Sequence, residues 1–87
     1  MIEVDLPVGV TYRFDRLDYF SVEPYEDWYE DEGEIEIDHR FAVVAWGLYM
    51  GCKRTYFCGR FIDLFDTKEK AIKLAARYAK KYNVSVE

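Results

Sequence analysis

RFAVVAWGLYMGCKRTYFCGRFIDLF, residues 40–65, decides the fold. From Arg40 to Met50 apolar side chains fill both alternating sets: Ala42, Val44, Trp46, Leu48 and Met50 in one, Phe41, Val43, Ala45 and Tyr49 in the other. Successive residues of a strand point to opposite faces, so a run that is apolar at both parities predicts a central strand covered at least in part on both sides. Gly51 opens a turn in MGCKRT, and YFCGRFIDLF returns as the partner strand, with Phe57, Phe61 and Phe65 expected on one face. In either plausible register of this hairpin Cys58 falls opposite Tyr49 or Gly47 and not opposite Cys52.

Toward the C-terminus, FDTKEKAIKLAARYAKKYN carries the punctuation of a helix. Asp66 or Thr67 can cap the first N–H groups, Glu69 sits beside the positive end of the dipole, and Asn83 can stop the helix in the left-handed conformation. Ala71, Ala75, Tyr78 and Tyr82, flanked by Ile72 and Ala79, recur at helical steps and predict the buried stripe. The VSV that follows can form a last short strand. Toward the N-terminus, Ile2, Val4 and Leu6 alternate with acids, as in an edge strand ended by Pro7 and Gly9. Val10, Tyr12 and Phe14 resume the alternation, which then slips to Leu17 and Tyr19. A bulge near Asp15 or Arg16 would absorb that slip, because one extra residue exchanges the faces.

Between these strands lies EPYEDWYEDEGEIEID, residues 23–38, with nine carboxylates, no Lys or Arg, and Tyr25, Trp28 and Tyr29 among them. Periodicity is lost from residue 21 to 33, and Pro24, Asp31 and Gly33 mark turn chemistry, which predicts an acidic loop. EIEID then alternates, with Ile35 and Ile37 on one face and Glu34, Glu36 and Asp38 on the other. The whole predicts one α+β domain over residues 1–87: an antiparallel sheet of four to five strands with one C-terminal helix on one face. A single helix cannot cover such a sheet, so some of Phe41, Val43, Tyr49, Phe57 and Phe61 should stay exposed, as at a partner or homodimer surface.

Composition narrows the classes of function. The chain has 87 residues, 51% of them hydrophobic, and a net charge of −5. That net value hides a division: residues 1–38 carry thirteen acids and two bases, residues 39–87 ten bases and four acids. Bipolar charge points to a charged partner or to one half neutralising the other. The acidic start lacks the pattern of a secretory leader, and the longest apolar run, FAVVAWGLYM, is short of the roughly 20 residues of a membrane span, so a cytoplasmic chain is expected. Two cysteines and one histidine fall short of a zinc set. His39 is flanked by Asp38, which strand geometry turns to the other face, and no nucleophile has a companion base, so neither an enzyme nor a bound cofactor is expected. Asp27, Glu30, Asp31 and Glu32 lack the order of a calcium loop.

Two charged surfaces remain as candidates. Lys70, Lys73, Arg77, Lys80 and Lys81 follow helical steps, a solvated face in the simplest reading and a phosphate-binding one in the sharper reading, with Lys70, Lys73, Arg77 and Lys81 as contacts. The acidic stretch is the stronger deviation. Glu34, Glu36 and Asp38 repeat on one strand face at about 6.5–7 Å, near the spacing of phosphates along a nucleic acid strand, and large aromatics beside them are interface anchors. Glu26, Asp27, Trp28, Tyr29, Glu30, Asp31, Glu34, Glu36 and Asp38 are therefore the expected partner-binding residues, suited to a basic groove.

On YEDWYEDEGEIEID the chain resembles, in size, charge and layout, the small acidic proteins with which bacteriophages and mobile elements block host nucleases: nucleic-acid mimics, anti-restriction and anti-CRISPR proteins. That resemblance implies a non-enzymatic inhibitor of a host defence or nucleic-acid-processing protein. The tail FDTKEKAIKLAARYAKKY is similar to the strand-then-helix ending of small β-β-β-α modules such as arm-type DNA-binding domains of integrases, which implies a nucleic-acid-binding alternative. A homo-oligomer in which acidic and basic halves of neighbouring copies meet is the third expectation.

Overall fold

The structure, a computed structural model, describes residues 1–87. Strands β1 (Ile2–Asp5), β2 (Thr11–Asp31), β3 (Glu34–Met50) and β4 (Thr55–Phe65) follow one another, then helix α1 (Lys68–Tyr82) and a two-residue strand β5 (Ser85–Val86). The sheet order is β1-β2-β3-β4, all antiparallel, and β5 adds in parallel to β2 along the edge that β1 leaves free. This is the α+β arrangement that the patterning predicts. No helix is long and apolar enough to cross a membrane.

The helix forms where its caps predict. Thr67 is the N-cap and accepts a hydrogen bond from the Lys70 N–H, while Asn83 adopts φ 56°, ψ 48° and turns its N–H back to the last carbonyls. Ala71, Ala75, Tyr78 and Ala79 are buried and Tyr82 is partly so, but Ile72 points to solvent, because it lies on the flank of the stripe away from the sheet. The alanines bring the helix close to Val43 and Ala45, both fully buried. At its C-terminal end Tyr78 donates to the Asp5 carbonyl at 2.7 Å, and Tyr82 accepts from the Asp5 N–H at 3.1 Å. Two phenols thus tie down the end of β1.

The core stands on one face of the sheet, and β2 reaches it through irregularity. Register shifts fall between Phe14 and Arg16 and between Leu17 and Tyr19, leaving Asp15 and Asp18 as unpaired extra residues. The alternation predicts the first bulge; the second returns Phe20 to the helix side. Phe14, Leu17 and Phe20 then all enter the core, a three-residue step that an unbroken strand could not give. Gly47 makes the crossing possible: a Cβ there would collide with the carbonyl oxygen of Arg16.

Two expectations are corrected. A bulge in β4, opposite Val43 and Val44, turns Ile62 into the core and moves Phe65 to the helix side, so Phe65 does not share a face with Phe57 and Phe61. Residues 21–31, expected as loop, continue β2 without a break, and the turn shrinks to Glu32 and Gly33, at φ 50° and 81°. Positive φ at both central residues is the two-residue turn whose twist suits a tight hairpin. Pro24 lies where the outer edge of β2 has no neighbour, a position that tolerates a residue without an N–H.

Candidate functional site

β4 stops pairing at Phe41 and β5 at Phe20, yet β2 and β3 pair to the end, Asp31 opposite Glu34. Residues 25–40 therefore leave the body as a two-stranded arm along the strands of a molecule 47 Å in its longest dimension. Cross-strand partners point to the same side, so the register divides the arm into two faces.

One face continues the side of the sheet that the helix leaves open. It pairs Tyr25 with Arg40, Asp27 with Asp38, Tyr29 with Glu36 and Asp31 with Glu34, with Glu23 at the base. Like charges stand directly opposite each other at Asp27/Asp38 and Asp31/Glu34, an arrangement that costs a hairpin roughly 0.2–1 kcal/mol per pair. The sole cation is Arg40, 3.5 Å from Asp38. The other face is mixed: Trp28 stands opposite Ile37, Glu30 opposite Ile35, and Glu26 opposite His39 at 3.8 Å. Its apolar members are solvated, Trp28 60% exposed and Ile35 71%, because the helix does not extend over the arm.

Of the nine residues the sequence singles out, Asp27, Tyr29, Asp31, Glu34, Glu36 and Asp38 share the acidic face, while Glu26, Trp28 and Glu30 lie on the reverse. Trp28 therefore anchors the face opposite the carboxylate rows. Glu23 and Tyr25 join the acidic face without having been singled out. The Glu32-Gly33 turn could have revealed them, since a two-residue turn fixes every cross-strand partner back to the base of the arm.

The basic residues lie elsewhere. Lys73, Arg77, Lys80 and Lys81 are exposed on the helix and make no ion pair, Lys81 resting 5.4 Å from the Tyr82 ring. Lys70 is held at 3.1 Å by Asp66, whose pKa that hydrogen bond lowers. No ion pair joins helix to arm, so the acidic stretch does not fold back to neutralise the helix; the arm leads away from it. An open cleft between arm base and helix start, lined by Asp38, His39, Arg40, Leu64, Phe65, Asp66 and Lys70, has its opposite charges already paired. Cys58 lies opposite Gly47, Cys52 is exposed in the β3–β4 turn, and both are free thiols. No group of three or more His, Cys, Asp or Glu side chains converges as metal ligands would. No known protein family, curated protein or solved structure matches the chain.

Proposed function

We propose that this is a non-enzymatic binding protein whose projecting arm places its acidic face in the basic groove of a protein partner. The carrying observation is the pairing of Asp27 with Asp38 and Asp31 with Glu34 on a ribbon whose acidic face has one cation, already paired. Carboxylates repeat along β3 at about 6.5–7 Å, the order of a nucleic acid's phosphate spacing, so a groove that holds a nucleic acid strand is the complementary surface. Tyr25 and Tyr29 add aromatic contact between the charges. A nucleic-acid-processing or defence protein in the host cytoplasm is the partner class, as for the phage inhibitors that the acidic stretch resembles.

Affinity capture with the intact protein, followed by mass spectrometry, tests the proposal when paired with E34Q/E36Q/D38N. The expected result is a nucleic-acid-binding protein retained at low salt, released as salt rises, and lost with the triple variant. Unchanged affinity for the triple variant overturns it. A second reading has one observation in its favour, the unpaired cations Lys73, Arg77 and Lys81 along the helix. A gel shift with single- and double-stranded DNA and RNA at low salt tests it, and no shift with any of them removes it.

A further inference from the structure

On the side of the sheet away from the helix, aromatic rings run across three strands. Tyr19 stacks on Trp46 with centroids 6.2 Å apart, and Trp46 stacks on Phe57 at 6.0 Å. Trp46 is fixed from both sides: its indole N–H donates to the Ser21 hydroxyl at 2.8 Å, and its ring covers Gly59, where a Cβ would come within 2.8 to 2.9 Å of three ring atoms. Val44, Leu48 and Leu64 lie on the same face by register and are half-buried. Phe57 is 50% exposed and Phe61, opposite Val44, 48%. A rigid, half-solvated apolar face of this kind is where an interaction surface is expected.

We infer that this face is the interface of a homodimer in which two sheets pack face to face with their strands antiparallel. Two observations select a second copy. The first is area. Three strands at about 4.8 Å spacing, each with about ten residues rising about 3.3 Å, present about 500 Å² per copy, so pairing buries about 1,000 Å² in total, the lower bound for a specific interface. The second is charge. A two-fold axis at Trp46 puts the partner's Gly51–Arg54 turn about 16–20 Å along the strand on the side of the arm, beside Glu23 and Arg40, the latter already paired with Asp38 at 3.5 Å. Asp38, and Asp27 opposite it, lie about 6–10 Å further on, near the limit of a long side chain. That turn carries Lys53 and Arg54, both exposed and without an ion pair. Each acidic arm base thus meets a basic turn of the other copy, twice per dimer, as an isologous contact requires. A nucleic acid strand suits the same rings poorly, because Glu23 and the acidic arm border them and Arg16 is tied to Asp18 at 2.6 Å.

The interface shares Asp27 and Asp38 with the acidic face of the arm, but its rings and basic turn belong to it alone, so Phe61→Lys and K53E/R54E test it apart from the partner proposed above. Sedimentation velocity of the intact protein to about 0.5 mM, where micromolar affinity saturates, should give a dimer that weakens as salt rises. Phe61→Lys, at an exposed position that leaves the core untouched, should weaken it at least about 30-fold, the effect of an interface hot spot. K53E/R54E and D27K/D38K should each be monomeric where the native protein is dimeric, and their mixture should form a heterodimer, since both contacts are again complementary. A monomeric native protein overturns the inference, as does F61K that dimerises normally. A mixture no more associated than its components overturns the antiparallel arrangement, and a monomer whose Trp46 emission is quenched by a single-stranded oligonucleotide assigns the rings to base stacking instead.

Discussion

The carbonyl oxygen of Arg16 occupies the space that a side chain on Gly47 would need. It stands there because β2 bulges at Asp15 and Asp18 around this point, and those bulges carry Phe14, Leu17 and Phe20 into one core. Gly47→Ala would press on main chain with core residues on either side, and should cost about 2–4 kcal/mol. Gly59→Ala meets only the Trp46 side chain and no main chain, so the ring can give way at the expense of its stacking, and the change should cost about 1–2 kcal/mol. Urea unfolding checks both, and equal losses would contradict the difference in what blocks them.

Asp27 faces Asp38 across the arm, and the pair opposes hairpin formation. Asp27→Lys should raise stability in dilute solution by about 0.2–1 kcal/mol, read as a higher midpoint in urea, while weakening capture of the basic partner. A substitution that stabilises the fold and harms binding is the signature of charge kept for recognition. Lower stability with unchanged capture would count against that assignment.

The two tryptophans should behave oppositely. Trp28 is 60% exposed on the arm, so Trp28→Ala should change stability by no more than about 0.5 kcal/mol. Trp46→Ala removes two stacked neighbours and the hydrogen bond to Ser21, and should cost about 2 kcal/mol or more. Acrylamide quenching of the single-tryptophan variants should find Trp28 the more accessible ring.

Burial pushes the Tyr78 hydroxyl's pKa up, with the neighbouring Tyr82 and the Asp63 and Asp5 carboxylates adding to it. The folded state thus favours the neutral phenol, and that stability is complete below the unfolded value of about 10 and lost as pH rises through the folded one. Tyr78→Phe should lose about 1 kcal/mol at neutral pH with the bond to the Asp5 carbonyl, yet decline less steeply than the native protein above about pH 10. Parallel decline of the two would remove Tyr78 as a source of alkaline sensitivity.

Local chemistry made much of this legible. Thr67 and Asn83 bound the helix because their side chain and backbone satisfy orphan groups within one turn, a matter of a few consecutive residues. Alternation placed β1, the β3–β4 hairpin and the row Glu34, Glu36, Asp38 for the same reason, since each residue's face follows from its neighbour's. The arm's first strand was hidden for an equally physical cause. Residues 21–31 bury little and set like charges across from like, so nothing in their own pattern rewards a strand; the backbone ladder to β3 does.

The sequence by itself determined the element types outside residues 21–31, the caps and the opposition of an acidic first half to a basic second. Tertiary structure alone decided which apolar side chains meet. The bulge at Ile62 separates Phe65 from Phe57 and Phe61, and the bulges in β2 send Leu17 and Phe20 inward. It also decided that Trp28 shares a face with Ile37 and Ile35, and not with the carboxylate rows. Register and bulges are set by contacts between residues far apart in the chain, where packing against Val43, Ala45 and the helix outweighs the local period of two.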